Sequence, residues 1–173
     1  MTSIIKVDEI QNKAGTSAIT IDSSGRVLRS AVPAWRVGLS TTQPQTSSGT
    51  KLVPFDTYNT QNCFLQGGVT LSSGTITVPV AGLYKVGSTI RVDDVNTAIY
   101  IISYIRKNQA NQNLEDSYVL TDNHGVTYQS LTVNDLYQCE AGDELECYIN
   151  VQSGDSSWEL AQNVSHFNGH LVG

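Results

Sequence analysis

The chain has 173 residues, a length typical of one domain, and ten basic against sixteen acidic residues give a net charge of −6. Apolar residues make up 39% and charged residues only 15%, while 18 Ser and 17 Thr fill the difference. The longest apolar run, Ala98 to Ile102, is far short of the ~20 residues of a membrane helix, and no basic cluster could track a phosphate backbone. Neither membrane insertion nor nucleic-acid binding is therefore expected.

The first thirty residues differ from the rest. They hold four basic and three acidic groups, a net of +1, against −7 for residues 31–173. Met1 to Ile10 carries Lys6, Asp8 and Glu9 where a secretion signal needs an apolar core, so no such signal is expected. Ile4-Ile5-Lys6-Val7, Ile19-Thr20-Ile21 and Val27-Leu28 are apolar islands between turn residues. Such islands bury too little to offset chain ordering, so they must dock on something. Val7 to Gln11 could form one helical turn at most.

From residue 31 the pattern has period two. Strands are predicted at 34–40, 62–66, 74–78, 84–92, 97–106, 117–121, 126–136, 145–151 and 164–172. In Leu145 to Val151 the odd positions are apolar and most even ones polar, the mark of a half-buried antiparallel strand. Thr97 to Arg106 is a long run rich in β-branched and aromatic residues, as expected of a strand covered on both sides. Ser72-Ser73-Gly74, Ala81-Gly82, Asp122 to Gly125, Ala141-Gly142-Asp143 and Ser153-Gly154-Asp155 punctuate the strands. Pro79 belongs at a strand end or an edge. Many short strands with regular turns predict an all-β sandwich, jelly roll or barrel. Cys63, Cys139 and Cys147 are an odd set with no CxxC pair, expected as buried thiols of a reducing compartment, with a Cys139–Cys147 bridge as the alternative.

The order of features over about residues 32–172 is more specific. Pro33-Ala34-Trp35 opens a strand, and Phe55-Asp56 follows. Thr75-Ile76-Thr77-Val78-Pro79 runs into Gly82-Leu83-Tyr84. Lys107-Asn108, Gly142-Asp143 and Phe167-Asn168-Gly169-His170-Leu171 complete the series. The series resembles the complement globular-head family of tumour-necrosis-factor-like jelly rolls. Trp35, Ile76 and Val86 stand where that family has Phe, apolar for apolar, and no collagen-like stalk precedes the domain. The resemblance implies a ten-stranded antiparallel jelly-roll sandwich assembling as a homotrimer. Pro33, Trp35, Phe55, Pro79, Gly82, Tyr84, Gly142, Asp143, Phe167 and Gly169 are its signature positions here. Tyr100, Tyr104, Tyr128, Tyr137 and Tyr148 are the candidates to line a trimer interface; the alternative is that they cover the sandwich with their hydroxyls in water.

Met1-Thr2-Ser3-Ile4-Ile5-Lys6-Val7-Asp8-Glu9-Ile10, followed by Gly15 to Gly25, resembles the openings of bacteriophage tail-fibre and virion-appendage proteins. Residues 1–30 are thus expected to be an attachment arm and residues 31–173 the jelly-roll head.

Little chemistry is legible. His166 and His170 share a strand face with Asn168, opposite Phe167; they are read as solvent-facing, with an axial ring binding an anion or metal in a trimer as the alternative. Asp93-Asp94, with Asn96, is a weak candidate cation site, since hard cations want clustered oxygens. No catalytic residue and no cofactor are expected, because no nucleophile elbow, phosphate loop, dinucleotide fingerprint or zinc-protease motif occurs.

The expectation is a phage virion structural protein without enzymatic activity: a tail fibre, spike or capsid-decorating appendage. Its partners are further copies of itself, other virion proteins through residues 1–30, and a host-surface glycan or protein through the loops 108–113 and 153–158. It would be assembled in the host cytoplasm and released by lysis. A secreted or surface bacterial adhesion module of the same fold is the alternative, and a glycan depolymerase a distant third.

Overall fold

The structure, a computed structural model, describes residues 7–15, 17–28, 31–57, 60, 62–109, 117–122, 125–153 and 157–173. The described residues are strands and turns, without helix.

Near the N-terminus β1 (Glu9–Gln11), β2 (Ser17–Ile21) and β3 (Val27–Leu28) form a separate antiparallel sheet in the order β1-β2-β3. Val7–Gln11, where one helical turn at most could form, holds strand β1 instead. Its backbone is drawn into the ladder by β2, where Ile10 faces Ile19 and the Ile21 N–H donates to the Asp8 carbonyl at 2.8 Å. The register puts Ile10, Ile19, Ile21 and Val27 on one face. Nothing covers that face fully, and Ile10 and Val27 stay 49% and 56% exposed.

The remaining strands are β4 (Ala34–Gly38), β5 (Gln43–Gln45), β6 (Gly49–Leu52), β7 (Phe64–Gln66), β8 (Thr70–Ser72), β9 (Thr75–Thr77), β10 (Gly82–Asp93), β11 (Ala98–Lys107), β12 (Ser117–Asp122), β13 (Tyr128–Cys139), β14 (Glu144–Ser153), β15 (Trp158–Leu160) and β16 (His166–Leu171). They form two antiparallel sheets. In the first, β13 lies along the whole of β10; the other edge of β10 is shared by β16 and, further on, β15. β4 and β7 continue from β16, and β5 from β15. In the second, β12, β11 and β14 are neighbours, and the far edge of β14 is shared by β9 and β6, with β8 outside β9.

The alternation read from the sequence sets the two faces. Tyr84, Val86, Ile90 and Val92 of β10, Ile101 and Ile105 of β11, and Leu145, Cys147, Ile149 and Val151 of β14 are buried in one core. Lys85 of β10 is exposed on the opposite side. Among the described residues thirteen strands build these sheets. The strands not read from the sequence, β5, β6, β8 and β15, are three or four residues long and too short to show alternation. Pro44 is tolerated because β5 pairs only with β15 and leaves its other edge free of ladder bonds. Pro79 falls between β9 and β10, outside both ladders.

One strand is less covered than its composition suggests. On the outer side of β11, Tyr104 is buried, but Ile99 is 67% exposed. The pairing with β14 shifts register between Ala98 and Tyr100, and such a bulge re-aims the unpaired residue.

Five of the signature positions meet in the core. The Trp35 ring lies 6.1 Å from Tyr84 and 5.9 Å, edge-on, from Phe167; Phe167 stacks on Phe55 at 6.0 Å. Gly169 faces Trp35 across the β16–β4 ladder. The Tyr84 hydroxyl donates to the Val80 carbonyl at 2.9 Å, which ties the turn before β10 to the same cluster.

Candidate functional site

A groove of mixed polar and apolar lining opens where β4 ends and β16 begins. Its volume is about 470 Å³, within the ~300–1,000 Å³ of small-molecule sites. Three segments build it. The end of β4 gives Arg36, Gly38 and Ser40. The segment from Thr57 to Cys63 gives Thr60 and Asn62. The bend before β16 gives Asn163, Ser165 and His166.

Backbone bonds hold these segments in place. The Gly38 N–H donates to the Thr57 carbonyl at 2.9 Å, and the Gly38 carbonyl accepts from both Asp56 and Thr57 at 3.1 Å. Thr60 and Cys63 exchange backbone bonds at 3.3 Å. The Arg91 N–H donates to the Ser165 hydroxyl at 3.1 Å, which fixes the bend under His166. Asn163 has φ 64°, in the left-handed region that Asn tolerates better than most residues.

The electrostatics of the groove are one-sided. Its lining contains Arg36 but no carboxylate. Arg36 is exposed, and among the described residues no Asp or Glu forms an ion pair with it. Asp56, next to the lining residue Thr57, is occupied: the Ser40 N–H and hydroxyl donate to it at 2.8 and 2.6 Å, and the Thr57 hydroxyl at 3.3 Å. Burial would raise the Asp56 pKa, but these donors outweigh it and hold the carboxyl below its ordinary value. His166 is half-buried, and its Nδ1 lies 3.2 Å from the Val164 carbonyl. A carbonyl can only accept, so Nδ1 carries the hydrogen and neutral His166 offers Nε2 as an acceptor. Burial lowers the imidazole pKa; the Val164 bond opposes this, and the Arg36 charge adds to it.

The residues singled out from sequence are scattered rather than gathered. Tyr100, Tyr104 and Tyr148 stand on the outer side of the second sheet, Tyr128 on the outer side of the first, and Tyr137 in the core. Strand alternation and the two-sheet layout thus send the five tyrosines to three places. The Tyr137 hydroxyl is spent internally, donating to the Ile105 carbonyl at 3.0 Å. Tyr104 and Tyr148 stack at 5.5 Å with the Arg106 guanidinium 5.0 and 4.7 Å from their ring centres. Beside them Glu146, 2% exposed, accepts bonds from the Tyr148 and Thr75 hydroxyls at 3.0 and 2.8 Å. With Tyr104 only 5% exposed, this cluster seals the sheet and offers no open platform.

Both Asp93 oxygens are held by Arg91, at 2.7 and 3.1 Å. The Asn96 side chain accepts from the Thr127 hydroxyl at 2.9 Å. Among the described residues no group of three or more His, Cys, Asp or Glu is placed to hold a metal ion. His124 and residues 110–113 and 154–156 of the two candidate contact loops lie outside the described residues. The three cysteines are free, which leaves the Cys139–Cys147 bridge unformed.

Of the groove residues, only His166 was conspicuous in the sequence. Arg36 reads as an ordinary outward charge on a strand, and Asn62, Thr60 and Asn163 as loop residues. No local signal shows that three distant segments converge. No protein-family model matches the chain, and no curated protein matches it.

Proposed function

We propose that this chain is a bacteriophage virion structural protein, in which a trimeric jelly-roll head (residues 31–173) is carried on an N-terminal arm (residues 1–30) that anchors it to the particle. The observation that carries this reading is the small sheet of β1, β2 and β3. Its one apolar face, Ile10, Ile19, Ile21 and Val27, remains partly or largely exposed. Three short strands alone bury too little to be stable, so a partner surface is required. The resemblance of the same segment to virion-appendage openings names the kind of partner: another protein of the particle.

The strand order supports the jelly-roll part of the reading. Among the described residues one sheet runs β13-β10-β16-β4-β7, with β15 and β5 continuing from β10, and the other β12-β11-β14-β9-β8, with β6 beside β9 on β14. Long-range neighbours such as β4 and β16 bring the two ends of the sandwich together, as a wrapped double-sheet fold requires. The head acts by binding, either to a host surface or to the particle it decorates. A groove lined by a cation, amides and hydroxyls without a carboxylate suits recognition rather than glycoside hydrolysis, which needs paired carboxyl groups.

Two measurements test the reading. Light scattering on purified protein at micromolar concentration is expected to give a trimer; a clean monomer overturns the trimeric head. Cryo-EM of particles carrying the chain is expected to show β1–β3 packed by their apolar face on another virion protein. Absence of the chain from purified particles by mass spectrometry overturns the virion assignment.

A further inference from the structure

We infer that the centre of the sandwich binds one internal water molecule, held between the Ser88 and Ser103 hydroxyls with the Cys147 thiol as its third partner. The site belongs to the core of the head and does not depend on the virion reading.

Strand alternation brings these three side chains together. Ser88 lies on the inward face of β10, between the buried Val86 and Ile90. Ser103 lies on the inward face of β11, between Ile101 and Ile105. Cys147 lies on that of β14, between Leu145 and Ile149. Ser103 is paired with Ile149 and Ile105 with Cys147, so Ser103 and Cys147 are diagonal neighbours on one face of the second sheet. Ser88 reaches them from the first sheet. Burial pushes the Cys147 thiol up to about 12, and the Ser88 and Ser103 hydroxyls both pull against it, which places the three polar heads together.

Two observations point to water. The first is unmet hydrogen bonding. Ser88 and Ser103 are 1% and 0% exposed, and neither hydroxyl has a hydrogen-bond partner among the described residues. A hydroxyl buried in this way is costly unless something supplies the missing bond. The thiol between them is a weak donor and a weak acceptor, and it makes a bond of proper geometry with neither. The second is size. All three side chains are smaller than the Val, Ile and Leu residues that flank them on the same faces, and they meet from both sheets. An internal water takes roughly two to four polar partners, and three converge here. None of the three is charged at pH 7, so they select a small neutral ligand that both donates and accepts. Such a water ties β10 of one sheet to β11 and β14 of the other, and only this facing of the sheets gives it three partners.

A high-resolution crystal structure of the full chain tests this directly. It is expected to show one density peak within hydrogen-bonding distance of both Ser88 Oγ and Ser103 Oγ, and crystals of the S88A/S103A variant are expected to lack it. Hydroxyls bonded to each other or to Cys147 Sγ, with no peak between them, overturn the inference. So does a peak that survives in S88A/S103A. Chemical denaturation gives a second reading that needs no crystals. Each single variant, S88A or S103A, leaves the water and the remaining hydroxyl short of a partner, and is expected to lower the ratio of folded to unfolded protein about tenfold. The double variant removes both hydroxyls together and is expected to cost clearly less than the product of the two losses. Losses that simply multiply, as at unrelated sites, count against the shared water even if no variant crystallises.

Discussion

Gly169 stands directly opposite Trp35 in the ladder between β16 and β4, and the Trp35 indole fills the space that a Cβ on residue 169 would need. The contact is with the six-membered part of the ring, whose other neighbours are the buried Tyr84 and Phe167. The indole has no room to retreat. Gly169→Ala is therefore expected to destabilise the sandwich by about 1–3 kcal/mol, the usual cost of overpacking a filled core. Chemical denaturation followed by Trp fluorescence measures it. A variant as stable as the parent would show that the indole can move aside.

Asn108 and Asp143 join two distant segments at the opposite ends of β11 and β14. The Asn108 amide donates to Asp143 Oδ1 at 2.8 Å, and its side-chain oxygen accepts from the Glu144 N–H at 2.8 Å. Asp143 Oδ2 also accepts from the Glu140 N–H at 2.9 Å, with the Lys107 ammonium 3.6 Å away. Gly142, at φ 92°, makes the tight turn that allows this. Asn108→Ala is expected to cost about 1–3 kcal/mol through lost bonds to a charged group and an unsatisfied backbone donor. Asn108 itself has φ 55°, so Asn108→Gly should recover only the backbone part of that loss.

The same carboxylate sets an acid limit. The Asn108 bond, with the Glu140 N–H and Lys107, holds the Asp143 pKa below the ordinary 3.8, against burial. A carboxyl lowered in the folded state stabilises above its unfolded value, and that contribution is lost as pH falls through the folded value. Stability is thus expected to drop below about pH 4, and Asp143→Asn to remove that part of the drop. Denaturation midpoints of both proteins between pH 2 and 7 decide the matter; parallel curves would contradict it.

The cysteines should differ sharply in reactivity. Burial pushes the Cys139 thiol up to about 11, with the Asp143 charge adding to the effect and Lys107 opposing it. Cys147, fully buried, is pushed up to about 12, against the pull of the Ser88 and Ser103 hydroxyls. Cys63 is only half-buried, at the edge of the groove. Since the thiolate is the reactive form, native protein at pH 8 should take one alkyl group on Cys63 and none on the others. Peptide mass spectrometry reads this directly. Rapid labelling of Cys147 would mean that the core opens.

Much of the sandwich was legible because a half-buried strand writes its two faces into alternate residues. β10, β11, β13 and β14 each run ten residues or more, long enough for that pattern to stand out. The ribbons β5, β6 and β15 are set by their partners instead: Trp158 pairs with Gln45 and Tyr148 with Leu52, and neither short segment alternates enough to declare itself. β1 was likewise hidden, since its pairing with β2 decides its conformation. The tyrosines show the complementary limit. Tyr100, Tyr104, Tyr128 and Tyr148 fell within predicted strands and Tyr137 one residue past one, but which sheet and which side each faced depended on pairings far along the chain.

The sequence by itself determined the all-β class, the core faces of the long strands, the turn chemistry and the separate character of the first thirty residues. These follow from local steric preference and from short-range alternation of polar and apolar residues. Only the tertiary structure decided where Asn108 meets Asp143, which tyrosines are sealed, and that Arg36, Asn62, Asn163 and His166 share one groove. These relations join residues up to 130 positions apart. They are fixed by strand register and sheet order, which are properties of the whole assembly of strands rather than of any stretch of chain.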